Sequence, residues 1–271
     1  MYVKNFRIIK FSILPLLLLA ASCNNLEYSP NQVFDKNSHT DINATNLRLL
    51  GDGAGDDTVR FVFTGDTQRS RNEGIDFYKK VNSMSGIDFI VLAGDISEFG
   101  VMKEMDWIAE TFSHLNRPYV AVIGNHDLTS RGRDVFQRMF GQLNYSFTYG
   151  GVRFICHDTN GREYKFNSKV PDIQWLEDQL KPTEGVNSYI AMSHVPSNSG
   201  DFDSTLVASY HTTFSKTPKL LASLHAHTHS YDVYYPDNSG IPYIITASVE
   251  KKEFLIVEII NNKLSFERIY F

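Results

Sequence analysis

Nine side chains able to hold a metal ion or move a proton stand in short blocks along this chain: Asp66 and Gln68, Asp95, then Asn125, His126 and Asp127 in a row, His194, and finally His227 and His229. Carboxylates, amide oxygens and imidazoles suit Mn, Fe or Zn, and no thiolate is among them to narrow the choice. One such residue alone says little, since an Asp after a strand is commonly a turn or helix cap. Their setting is what carries information. Residues 119–123, Tyr-Val-Ala-Val-Ile, are strand formers in succession, closed by Gly124, where the backbone can turn sharply. Asn125, His126 and Asp127 follow at once. The same plan recurs where 59–64 runs into Gly65-Asp66, 88–92 into Ala93-Gly94-Asp95 with Glu98 beyond, 188–192 into Ser193-His194, and 220–224 into the block ending at His229. These blocks therefore collect at the carboxyl ends of strands, where open α/β sheets bind their ligands.

The elements between the blocks must bring them together. Ile75, Tyr78 and Val81 recur at spacings of three and predict a helix over about 73–83; another is expected near 101–114. Strand and helix thus alternate, which places neighbouring strands with their ends on one side. Residues 145–149 and 152–156 read as a hairpin about Gly150-Gly151, and 171–180 as an amphipathic helix opened by Pro171. The alternating runs at 241–247, 253–260 and 263–270 read as antiparallel strands closing a second sheet.

A chain of 271 residues buries one sizeable core or two small ones. Its amino end is set apart: Lys4, Arg7 and Lys10 precede an apolar run over 11–21, then Ser22 and Cys23. That is the make-up of a secretory signal, too short for a stop-transfer helix. The Leu19-Ala20-Ala21-Ser22-Cys23 ending resembles a bacterial lipoprotein signal, which implies a leader over 1–22, a lipid on Cys23 and a location in the cell envelope facing the periplasm or in the outer membrane. Losing the leader's three cations moves the formal charge from −5 to −8, which argues against a nucleic-acid-binding surface. Residues 23–57, rich in Asn, Asp, Ser and Gly, read as a tether and extension before a domain over 58–271, with the fate of 46–50 undecided.

In order, the blocks are Asp66-Thr-Gln68, Gly94-Asp95-Ile-Ser-Glu98, Gly124-Asn125-His126-Asp127, His194 and Ala226-His227-Thr-His229. Taken together they resemble the calcineurin-like metallophosphoesterases. The resemblance implies an α/β fold, a four-layer αββα sandwich of two mixed sheets flanked by helices, with two divalent ions at the strand ends. It assigns Asp66, Gln68, Asp95 and His229 to one ion and Asp95, Asn125, His194 and His227 to the other. His126 would face the leaving group, with Asp127 orienting its imidazole. Two ions about 3.5–4 Å apart hold a bridging hydroxide for in-line attack on a phosphate ester or anhydride. Two positions depart from the pattern. Gln68 stands where most members have His, as in some branches that include manganese-dependent nucleotide diphosphatases, so Mn is favoured at that site. Ala226 stands for Gly. Gln68 also tilts the expected substrate towards a phosphodiester or a nucleotide-type diphosphate over a phosphomonoester.

Other residues carry alternatives. His225, His227 and His229 share one face if the strand continues, which would make a zinc site; the family pattern makes His225 a packing residue. His157 lines the cleft or sits on a solvated loop. Arg69, Arg71, Asn160 and Arg162 are candidate substrate contacts, with Tyr164 beside the last two and Asn198 and Tyr231 behind them. The rival from another class is a non-catalytic binding protein of the envelope that retains the scaffold; intact His126, Asp127 and the second ligand set argue against it.

Overall fold

The computed structural model describes residues 33–34, 36–55 and 58–271, so the leader and Cys23 lie outside the described residues. β1 (Thr58–Thr64), β2 (Phe89–Ala93) and β3 (Tyr119–Val122) lie side by side and parallel. β2 and β3 are buried along their whole length, as apolar runs covered on both faces must be. A second sheet has β5 (Val152–Cys156), β6 (Ser188–Met192), β7 (Leu220–His225) and β9 (Tyr243–Ile245) in parallel order. Antiparallel edge strands β4 (Tyr145–Tyr149) and β8 (Asp232–Tyr234) complete it.

The two sheets pack face to face through Phe61, Phe89, Phe154, Ile190 and Leu224, among others. Phe61 stacks on Phe89 within its own sheet and meets Phe154 of the other sheet edge-on at 5.4 Å. On the outer face of the first sheet, α2 (Arg71–Asn82), α3 (Met102–Phe112) and α4 (Gly132–Met139) bury Phe77, Met105, Phe112 and Phe136. On the outer face of the second, α5 (Ile173–Gln179) and α6 (Val207–Ser215) bury Leu176, Tyr210 and Phe214. Helix, sheet, sheet and helix make the four layers. Among the described residues no helix is long and apolar enough to cross a membrane.

The carboxyl-terminal strands differ from the expectation. β10 (Glu253–Ile260) and β11 (Lys263–Tyr270) join the first sheet, where β10 pairs antiparallel with β1 and β11 with β10. Only β9 enters the second sheet, and it runs parallel to β7. The reason lies in β10: Phe254 and Ile256 enter the helix-side core, while Leu255, Val257 and Ile259 enter the core between the sheets. A strand apolar on both faces needs an interior place in a sheet, and alternation alone does not say in which one.

The undecided extension is also resolved. α1 (Ile42–Leu50) docks along β3, the outermost strand of the first sheet. The Ala121 amide donates to Asn43 Oδ1 at 2.8 Å, and Asn43 Nδ2 donates to the Ala121 carbonyl at 3.0 Å. The Tyr119 amide donates to Asn46 Oδ1 at 3.2 Å. Two asparagines thus stand in for a missing neighbour strand, satisfying an edge that would otherwise be open to pairing.

His157 is neither cleft lining nor solvated. It is buried beneath the second sheet, with Nε2 2.9 Å from the Tyr210 hydroxyl and Nδ1 3.3 Å from the Ile155 carbonyl. Burial pushes its pKa down to about 4, against the pull of the Ile155 and Met192 backbone.

Two outcomes follow. Asn43→Ala leaves the Ala121 amide unsatisfied and costs about 2 kcal/mol; a urea midpoint equal to that of the unsubstituted protein would show that the edge is not held this way. His157 is neutral when folded and titrates near 6.5 when unfolded, so the unfolded chain binds more protons between those values. Stability therefore falls as pH drops from 6.5 to about 4, by about 3 kcal/mol from this group. His157→Gln removes that share of the slope, read as the difference between the two proteins' stability-against-pH curves; superimposable slopes would contradict it.

Candidate metal centre

The carboxyl ends of β1, β2 and β3 meet those of β6 and β7, so the polar blocks arrive at one rim. Ligand-capable atoms of Asp95, His194 and His227 lie within 4.8 Å of one another, and so do those of Asp66, Asp95 and His229. Asp95 belongs to both groups. Asn125 joins the first, its Oδ1 being 3.1 Å from His194 Nε2 and 3.0 Å from His227 Nδ1. Gln68 joins the second through Nε2, 3.4 Å from Asp95 Oδ2.

Backbone geometry makes this convergence possible. Asp66, Asp95, His227 and His229 all have left-handed φ, at 53°, 53°, 74° and 56°. Asp and His tolerate that region better than most residues but still pay strain there, which is common where a site dictates conformation. Gly94 is needed for close approach: a Cβ at its position would lie 2.7 Å from both Gly124 Cα and His194 Nδ1. The loops are also laced together. The Thr67 and Gln68 amides donate to the Asp95 carbonyl at 2.9 Å, the His126 amide to Asp95 Oδ1 at 2.9 Å, and the His227 amide to Asp66 Oδ2 at 3.1 Å.

The electrostatics call for positive charge. Burial, reinforced by Asp95, pushes the Asp66 carboxyl up to about 6 in spite of His194 and His229. Burial disfavours the Asp95 carboxylate most strongly, yet the His194 imidazole and then the His126 ring and amide together outweigh it and hold Asp95 below the usual range. Burial alone would lower His194; Asp95 and Asp66 reverse that and raise it to about 10. His227 is pushed down to about 4, by burial and then by His194, and so stays in the neutral form a ligand requires.

Two acceptors in this pocket are unmet. Asp66 Oδ1 and Gln68 Oε1 are buried and accept no hydrogen bond. Buried oxygens of this kind ordinarily have a partner, and a divalent cation supplies one. The His194 ring is pre-set for the same purpose: Nδ1 lies 2.6 Å from the Ala93 carbonyl, which can only accept, so Nε2 is left facing Asp95 at 3.2 Å. The donor set therefore fits a pair of metal ions.

His126 is half-exposed beside this group. Its Nδ1 lies 3.0 Å from the Glu98 carbonyl, with Glu98 Oε2 at 3.7 Å. Desolvation lowers its pKa, but Asp95, the Glu98 carbonyl and carboxylate, and Asp127 together raise it above the ordinary value. Asp127 does not orient the imidazole, contrary to expectation. Its buried carboxylate accepts from the Ile96, Ser97 and Gly124 amides and the Ser97 hydroxyl, stitching the loop after β2 to the loop after β3. The Glu98 carbonyl orients His126 instead.

The expected substrate contacts divide. Arg69 pairs with Glu98 and lines the cleft with Asp66, Gln68, His126 and His229. Arg71 lines an adjoining cavity. Asn160 is fully buried and donates to Asp158 Oδ1 at 2.8 Å and to the Ile123 carbonyl at 3.3 Å, so it braces a loop rather than touching a substrate. Tyr164 is held by Asp158 at 2.8 Å, and Tyr231 lies under Arg268. His225 has Ser193 Oγ and Ser223 Oγ each 2.9 Å from its ring nitrogens and is buried; the left-handed turn at His227 takes the later histidines away from it.

Arg162 is exposed and pairs with Asp201, whose Oδ2 lies 3.4 Å from His227 Nε2. Asp201 had no mark in the sequence. It follows no strand, and acidic residues in a Ser-Gly-Asp loop are usually solvated.

Comparisons with known proteins agree with this geometry. The family model described as calcineurin-like phosphoesterase matches residues 59–231. No curated protein matches the chain by sequence. Among solved structures, a dimetal phosphatase from Danio rerio is similar with a TM-score of 0.64 at 13% identity, over 78% of this chain and 95% of that one. A purple acid phosphatase from yellow lupin (Lupinus luteus) gives 0.62 at 14% identity, over 81% of this chain and 52% of that one. GAP50 of Plasmodium, described as the anchor in the inner membrane complex, gives 0.58 at 16% identity over 79% and 84%. At such identities the likeness is one of fold, and this fold serves an anchor as well as phosphatases. With the family model matching more than half its length, the chain belongs to the calcineurin-like phosphoesterases and is a metal-dependent phosphoester hydrolase.

Proposed function

We propose that this hydrolase is dinuclear and cleaves a small phosphodiester or nucleotide-type diphosphate in the bacterial cell envelope, held there by a lipid on Cys23. The observation that carries the dinuclear reading is Asp95 shared between two ligand groups, each with further donors of its own. Asp66, Gln68, Asp95 and His229 would hold one ion, and Asp95, Asn125, His194 and His227 the other. Bound there, two divalent ions supply Lewis-acid polarisation of the phosphoryl group and a water acidic enough to ionise near neutral pH. An amide oxygen from Gln68 in place of an imidazole makes its site harder, which favours Mn²⁺.

The chain's own residues do the rest. The Glu98 carbonyl only accepts, so His126 Nδ1 carries a proton. The surrounding negative charge favours a second proton on Nε2, the nitrogen left free for a leaving-group oxygen. His126 thus serves as proton donor or as stabiliser of developing negative charge. Asp127 holds two loops at the spacing this requires.

His126→Ala therefore lowers turnover by about 10²-fold or more at unchanged metal content and unchanged melting temperature. Asp127→Asn faces three backbone donors with an amide and lowers the melting temperature as well. Full turnover in His126→Ala, on a substrate the unsubstituted protein cleaves well, would refute the role. Chelation abolishes turnover and lowers the melting temperature, and Mn²⁺ restores both better than Zn²⁺. Protein isolated without added metal carrying two tight Zn²⁺ ions would count against the Mn²⁺ assignment. Bis-p-nitrophenyl phosphate is turned over in preference to p-nitrophenyl phosphate; the reverse order would assign the chain to the phosphomonoesterases.

A further inference from the structure

Beside the metal centre lies a second cavity of about 300 Å³, lined by Arg69, Arg71, Ile96, Glu98, Trp107 and Ile108 together with Ser97 and Glu104. Arg69 and Glu98 also line the metal cleft, so the two spaces adjoin across their ion pair. His126 stands on the metal side of that boundary, its Nδ1 on the Glu98 carbonyl. A group leaving past His126 and over the Arg69–Glu98 pair would enter this cavity.

Its walls have a definite chemistry. Ile96 and Ile108 are buried, while Trp107 of α3 is 50% exposed, an unusual state for the largest apolar side chain. Most of the charges here are already spoken for. Glu98 is held by Arg69, and the Glu104 carboxylate accepts from the Glu98 and Phe99 amides at 3.2 and 2.9 Å. The Ser97 hydroxyl donates to Asp127. Arg71, at the first turn of α2, is exposed, and its guanidinium has no ion-pair or hydrogen-bond partner among the described residues. An apolar, aromatic surface beside one uncommitted guanidinium suits a planar ring carrying negative charge, and the volume suits one small molecule rather than a polymer.

We propose that this cavity is the leaving-group subsite, and that it takes an aromatic ring against Trp107 and an anionic group at Arg71. The inference rests on the phosphoester reading and narrows it: preferred substrates are esters or anhydrides whose leaving group is both aromatic and acidic, in contrast to alkyl or sugar phosphates.

The chain has two tryptophans, so Trp175→Phe leaves Trp107 as the sole indole reporter. The probe is adenosine 5′-monophosphate, titrated into the Mn²⁺-loaded Trp175→Phe protein. It quenches Trp107 fluorescence saturably, and Arg71→Ala weakens its binding by about tenfold or more. Ribose 5-phosphate, which lacks the ring, produces no saturable quench. Adenosine, which lacks the anion, binds about tenfold or more weakly than the monophosphate. Absence of a saturable quench by adenosine 5′-monophosphate, or equal affinity with and without Arg71, would overturn the subsite. The phosphoester reading fails separately, when the unsubstituted protein with Mn²⁺ or Zn²⁺ turns over no phosphate ester at all; the quench is read whether or not it does.

Discussion

Two carboxylates, Asp66 and Asp95, end neighbouring parallel strands and are almost wholly buried. Like charges so placed cannot both stay ionised unless positive charge stands between them. The surroundings show the strain of that demand: Asp66 is driven towards its acid form and His194 towards its cation. A pair of divalent ions answers it far more fully than one imidazolium, and would displace the proton from His194 to do so. Much else near the site serves to hold this pair in place. Left-handed backbone at both aspartates turns the side chains inward, and Gly94 lets the second loop press against the third.

Such strain persists only on a rigid base. Beneath the histidines, a buried polar chain runs from His157 to the Tyr210 hydroxyl, on through Ser223 Oγ at 3.5 Å, to His225 and then Ser193. Ser193 precedes His194 directly, so this network steadies the end of β6 from below. A fully paired network in a low-dielectric interior is rigid because any member that swings away leaves its neighbours unsatisfied. On the other side of the molecule, α1 does for β3 what the network does for β6. By satisfying the outer edge of β3, it fixes the strand that delivers Asn125 and His126.

The legible part of the sequence was the part governed by local rules. Each strand that ends in glycine or another small residue followed by a polar group could be read directly, because burial demands apolar runs and sharp exits demand small residues. Hence Asp66, Gln68, Asp95, Asn125, His194, His227 and His229 were found, and they do converge. What eluded reading depends on long-range partners. Nothing in 253–270 says which sheet the hairpin joins, since either would bury the same side chains. Asp127 sits next to His126 in the chain, which suggested a contact between the two. At the 3-10 turn formed by residues 126–128 it instead points back to the amides of the preceding loop. Asn160 looked like a rim residue because its neighbours are polar, yet its amide turns inward to a main-chain oxygen.

The two histidines facing Asn125 are held by different means, and the difference is chemical. His194 gives its outer N–H to a backbone carbonyl, a neutral acceptor fixed by the sheet. His227 has a carboxylate near its outer nitrogen instead: Asp201 Oδ2 lies 3.4 Å from Nε2, while Nδ1 lies 3.0 Å from Asn125 Oδ1. A carboxylate at this distance adds negative charge to the rim of the site. That extra charge would be costly so near Asp66 and Asp95 if left alone. Arg162, exposed and paired with the other Asp201 oxygen, offsets it at the surface. The loop after β5 that carries Arg162 and the loop after β6 that carries Asp201 are thereby tied to the end of β7. The candidate ligands are thus braced from behind by Arg162 and Asp201, two side chains that are not among them.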